Sequence, residues 1–169
     1  TLNQKDSGAV FATGTGTVVT LDRSSLSLTP NISIKGVKLT DVNRYVGFGL
    51  FSESGAKINA KNNNIEIING GSGVASIGSS EIDLSGAYLK YEGNGYAVYT
   101  DGVGKVNLSG TKIILDGYST AFELDLSLPP ASRPITTDAN TKIIVNSDNV
   151  TVFKLKNAGG LNTFNLQPS

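Results

Sequence analysis

The sequence predicts an all-β protein, a parallel β-helix built from successive coils of about 24 residues. Three observations predict it. A repeat keeps phase over much of the chain, the apolar residues come in short alternating runs, and those runs are separated by Gly, Asn and Ser.

The repeat carries most weight. Lys57-Ile58-Asn59-Ala60, Glu81-Ile82-Asp83-Leu84 and Lys105-Val106-Asn107-Leu108 share one pattern and lie 24 positions apart. Ile65, Leu89 and Ile113 follow in the same register, as do Ile67, Tyr91 and Leu115, and then Leu50, Val74, Val98 and Phe122. Small residues (Gly49, Gly73, Ala97, Ala121) precede this last column. Asn62, Gly86 and Gly110 recur at one turn, and Asn69, Gly93 and Gly117 at another, all types that tolerate positive φ. Within each run Ile58 and Ala60 point one way and Asn59 the other, the period of a strand. A unit of 24 residues with three such runs is too short for a strand–helix–strand crossover. One repeat cannot bury its own apolar face, whereas a stack pairing in parallel at about 4.8 Å can. Lys57, Glu81 and Lys105 should then form an outward charge ladder, Glu66 and Lys90 a second opposite-charge pair, and Asn59, Asp83 and Asn107 a polar column facing water.

The register loosens towards both ends. Residues 8–20 resemble 95–107, with Gly14 and Gly16 falling on Gly102 and Gly104, and extra sequence near 22–31 precedes Ile32. A second insertion near 124–140 contains Pro129, Pro130 and Pro134 and delays the next strand to Thr141–Val145. Val150–Leu155 begins the last coil. The chain is therefore expected to be one domain, 1–169, of about six coils with two inserted loops. It starts at Thr1 with no signal segment and breaks off in repeat-like sequence, as a fragment of a longer protein would.

Composition removes several function classes. Lys plus Arg equals Asp plus Glu at 14 each, so no global field draws in nucleic acid or an anionic membrane. No apolar run approaches the roughly 20 residues of a spanning helix, so no membrane insertion is expected. Zero Cys rules out a disulfide scaffold and a thiolate metal site, and zero His rules out a histidine base beside a serine.

In its 24-residue coils, in the phrase GYAVYTDGVGKVNLSGTKIILDG at 95–117 and in its lack of Cys, the sequence resembles the passenger domains of Gram-negative autotransporters. These are the adhesins and toxins of type V secretion. The resemblance extends loosely over most of the chain and implies a right-handed β-helix, export and an extracellular or bacterial cell-surface location. It names no receptor. The sequence shows no membrane-barrel pattern, protease triad or integrin-type RGD.

No catalytic residue, metal site or cofactor is expected. Gly70-Gly71-Ser72-Gly73 resembles a calcium-binding nonapeptide, but the required Asp is Ala75. The repeat-phase carboxylates Glu81 and Asp83 become Lys105 and Asn107 one coil on, which marks solvated faces and not a polysaccharide-cleaving acid pair. Asp101, Asp116, Glu123 and Asp125 are the best remaining acidic group. Binding is better served by Tyr96, Tyr99 and Tyr118, rigid faces with polar tips, where Tyr99 shares a column with Glu123. The loop residues Leu128, Pro129, Pro130 and Arg133 form the other candidate, since a stiff loop on a regular scaffold is a common place for contact. The sequence thus predicts a non-catalytic adhesion module whose partner is a host-cell or bacterial surface receptor, protein or glycan. A receptor-binding toxin passenger is the main alternative, and a polysaccharide-cleaving enzyme a lesser one.

Overall fold

A computed structural model describes residues 2–3, 10–21, 32–35, 48–126 and 134–157, and no helix occurs among them. The strands in chain order are β1 (Leu2–Asn3), β2 (Val10–Thr13), β3 (Val18–Thr20), β4 (Ile32–Lys35), β5 (Phe48–Glu53), β6 (Lys57–Asn59), β7 (Asn64–Ser76) and β8 (Glu81–Asp83). They continue as β9 (Tyr88–Thr100), β10 (Lys105–Asn107), β11 (Lys112–Asp116), β12 (Thr120–Asp125), β13 (Ile135–Thr136), β14 (Lys142–Val145) and β15 (Thr151–Lys156).

Every described pairing is parallel, in two sheets. The smaller sheet runs β3-β6-β8-β10-β13. The larger has ten strands, and its long members β7 and β9 serve two arms. Their first halves belong to the path β1-β4-β7-β9-β11-β14. Their second halves pair with β5 and β12, which continue to β2 and β15. Between Phe48 and Glu123 the pairing follows the repeat: Leu50 opposes Val74, Val74 opposes Val98, Val98 opposes Phe122, and Lys57, Glu81 and Lys105 face one another in turn. Parallel strands at constant sequence offset place like positions one above another, so a residue type suited to the interior recurs in every repeat.

The apolar columns form one core. Leu50, Val74, Val98, Ile65, Leu89, Ile113, Ile67, Tyr91 and Leu115 are at 0% exposure, and Phe122 is at 1%. Each such large side chain contributes about 1.5–3 kcal/mol by leaving water. Carbonyls at the turns between rungs are satisfied by side-chain hydroxyls: Thr111 Oγ1 donates to Leu84 O at 2.7 Å, Thr141 Oγ1 to Leu108 O at 2.9 Å, and Ser80 Oγ to Ser52 O at 2.8 Å. The recurrent turn position needs a left-handed backbone, with φ of 55° at Asn62, 68° at Gly86 and 67° at Gly110.

Two expectations change. The polar column does not simply face water, because Asp83 is only 9% exposed. Its carboxylate is absorbed by neighbours: Oδ1 accepts the Ser85 N–H at 2.9 Å and the Asn107 amide at 3.3 Å, while Lys61 sits 3.1 Å from Oδ2. The second insertion is also shorter than the prolines suggest. β12 continues to Asp125, and Ile135–Thr136 already rejoin the smaller sheet against Val106–Asn107. Pro134 has no N–H to give, but its carbonyl accepts the Val106 N–H at 2.8 Å, so a proline can open this edge strand.

Candidate binding face

The outer side of the larger sheet owes its character to a break in alternation. Ala97 and Val98 are consecutive, yet both lie in the core at 0% exposure. Tyr96 and Tyr99, three apart, therefore emerge together, with ring centroids 5.1 Å apart and planes at 31°. The same device acts two repeats earlier, where Phe48 and Phe51 flank Gly49 and Leu50 with their centroids 4.6 Å apart. Phe48, Phe51 and Ala75 form a small cluster outside the main core, with Ile77, Tyr96 and Tyr99 packed against it. Phe11 stacks on Phe51 at 5.3 Å and remains 46% exposed.

One rung beyond, Tyr99 opposes Glu123, and Glu123 opposes Lys154. Glu123 is 3% exposed, and a buried carboxylate requires a partner. It has two: Lys154 Nζ lies 3.0 Å from Oε2 and Lys156 Nζ 2.5 Å from Oε1. Asp125 stands opposite Lys156, and its Oδ1 accepts the Asn157 amide at 2.8 Å. The hydrogen bond to Glu123 raises the Lys156 pKa against the pull of burial, so the ammonium stays charged. Burial raises the Tyr96 pKa, only partly offset by the Ser72 hydroxyl, with the Glu123 charge adding to the rise. Burial also raises that of Tyr99, helped by Asp125, Tyr96, Asp101 and Glu123. Both phenols are consequently protonated at neutral pH and can donate hydrogen bonds.

The structure thus brings Tyr99 and Glu123 together, as their shared column predicts, and adds Tyr96 and Asp125. Tyr118 stands apart, in the turn before β12, and at 68% is the most exposed large apolar side chain among the described residues. Leu128, Pro129, Pro130 and Arg133 lie outside the described residues. The other two acids have structural employment. Asp101 accepts the backbone N–H groups of Gly78, Val103 and Gly104 at 2.7, 3.0 and 2.9 Å, and Asp116 faces Lys90 at 4.0 Å. Sequence reasoning missed the two lysines. The signal was present, since Thr-Ala-Phe-Glu-Leu-Asp at 120–125 and Thr-Val-Phe-Lys-Leu-Lys at 151–156 have the same apolar pattern with opposite charges. It likewise missed the Phe11, Phe48 and Phe51 cluster, because strict alternation assigns residues three apart to opposite faces.

Comparison of the chain with protein-family models, with characterised proteins and with solved structures finds no match.

Proposed function

We propose that the chain is a right-handed parallel β-helix of about six coils, a piece of the secreted passenger of a Gram-negative autotransporter, and that it acts in adhesion at the bacterial surface without catalysing a reaction. The fold part of this reading is supported by two parallel sheets whose register advances by one repeat per rung, from Phe48↔Ser72 to Tyr99↔Glu123. The observation that carries the function is the outer face itself. Two tyrosines emerge side by side on β9, next to a carboxylate on the following rung held by two lysines. Rigid aromatic area beside fixed donors and acceptors is what recognition of a protein or glycan surface uses, and tyrosine is enriched at such contacts.

The test is binding of the soluble, labelled chain to host and bacterial cells by flow cytometry. Tyr96→Ser with Tyr99→Ser should reduce binding at least about tenfold, the effect of one strong aromatic contact, with Tyr118→Ser giving a smaller loss. Replacing 127–133 by a Gly/Ser linker separates the loop's share from the face's share. Undiminished binding by all these variants, each with an unchanged β circular-dichroism signal, would refute the assignment of the face.

A further inference from the structure

The outer corner between the two halves of β9 contains a chemistry that the binding face does not use. Gly93 opposes Gly70 and Tyr96 opposes Ser72, so Asn94 and Gly95 together face the single residue 71 across the ladder. This is a bulge, and it frees an Asn-Gly pair from regular strand geometry. The Asn94 side chain is exposed to water. The backbone N–H of Gly95 points the opposite way and donates to the hydroxyl of Tyr91 at 3.0 Å. Tyr91 lies in the core at 0% exposure and cannot follow any movement of that peptide.

We propose that Asn94–Gly95 is a site of spontaneous deamidation and that the Tyr91 hydroxyl sets its rate. The reaction needs only the chain and water. The Gly95 nitrogen attacks Cγ of Asn94 and forms a C–N bond. The Cγ–Nδ2 bond breaks, and ammonia leaves with the proton that the peptide nitrogen gave up. Water then opens the cyclic imide at either carbonyl, which yields aspartate or isoaspartate. Asparagine is among the thermally labile residues, and a following glycine offers the attacking nitrogen no Cβ to hinder it. To attack, the Gly95 nitrogen must turn outward towards Asn94 and abandon Tyr91, so the buried hydroxyl acts as a latch. The product carries a new carboxylate two residues before Tyr96. In its iso form it adds a backbone carbon at the root of the strand that presents Tyr96 and Tyr99. The proposal is independent of the ligand reading, because it depends on Asn94, Gly95 and Tyr91 alone.

The experiment incubates the native chain at mildly alkaline pH in heavy-oxygen water and maps its peptides by mass spectrometry over time. Heavy oxygen should enter at residue 94 before it enters at any described asparagine that glycine does not follow. Tyr91→Phe, which keeps the ring in the core, should convert about two- to tenfold faster, the worth of one neutral hydrogen bond, and Gly95→Ala should convert more slowly than wild type. Wild type in urea supplies the same comparison without depending on how the variant folds, and it should also convert faster than native chain. No conversion at Asn94 would overturn the site. Equal rates in native, Tyr91→Phe and urea-treated chain would overturn the latch.

Discussion

At the scale of single residues, the polar column shows how burial alters what a side chain is worth. Asn107 sits in a column that alternation assigns to the outside, and a conservative change there should be silent if water surrounded it. It is not surrounded by water, since its amide donates to Asp83 Oδ1. Asn107→Asp would remove that bond and set two carboxylates against each other on adjacent strands, at a cost of about 1–2 kcal/mol at neutral pH. Burial by itself raises the Asp83 pKa, but the Ser85 backbone and hydroxyl and the Lys61 charge outweigh it and hold it below the ordinary carboxylate range. A carboxyl with a depressed pKa in the folded state contributes stability above its unfolded value and loses it as pH falls through the folded one. Wild type should therefore lose this stability as pH falls through the depressed Asp83 pKa, and the gap between wild type and Asn107→Asp should begin to close at higher pH, because the like charge raises one of the two carboxyls. Thermal melts at pH intervals from neutral to strongly acid measure both curves. A constant gap at all pH values would contradict the carboxylate account.

At the scale of elements, register was legible and facing was only partly so. The columns Leu50/Val74/Val98/Phe122 and Ile65/Leu89/Ile113 could be read directly because parallel pairing at fixed offset repeats the same environment. The Tyr96–Tyr99 pairing could not, because it depends on Ala97 and Val98 both turning inward, a backbone irregularity that apolar periodicity does not encode. The return of the chain at Ile135 was hidden by three prolines that suggest a longer excursion. Gly104 carries a constraint that is steric and not conformational. A Cβ on Gly104 would lie 2.1 Å from the Ser76 carbonyl oxygen and 2.6 Å from the Ile77 nitrogen, backbone atoms of the preceding rung. Gly104→Ala should push those rungs apart and cost about 1–3 kcal/mol. Ser79→Ala, on an exposed turn, should stay within about 0.5 kcal/mol of wild type. Urea denaturation midpoints compare the two, and equal midpoints would show that the rungs are not so tightly apposed.

At the scale of the molecule, burial declines along the direction in which the rungs succeed one another. Ile113, Leu115 and Leu124 are at 0–1% exposure, yet their partners one rung later, Ile143, Val145 and Leu155, are exposed to 36%, 44% and 42%. On the opposite side Val19, in register with the fully buried Ile58, is only partly buried against the core. In a stack where each rung contacts only its neighbours, stability is a sum of local and nearest-neighbour terms, so a rung that leaves its apolar side chains exposed holds less than a rung that buries them. Among the described strands β15 pairs only β12, whereas β9 pairs β7 on one side and both β11 and β12 on the other. Amide hydrogen exchange should consequently be graded. Residues 64–68 and 88–92 should be the most protected, and 142–145 and 151–156 should exchange at least about tenfold faster, the equivalent of little more than 1 kcal/mol in local opening. The two lysines on Glu123 moderate this at β15, because opening that strand strands a buried carboxylate. Lys154→Ala with Lys156→Ala should therefore accelerate exchange in 120–125 as well as in 151–156. Uniform protection from β7 to β15 would mean that the chain opens only as a whole, and the nearest-neighbour description would fail.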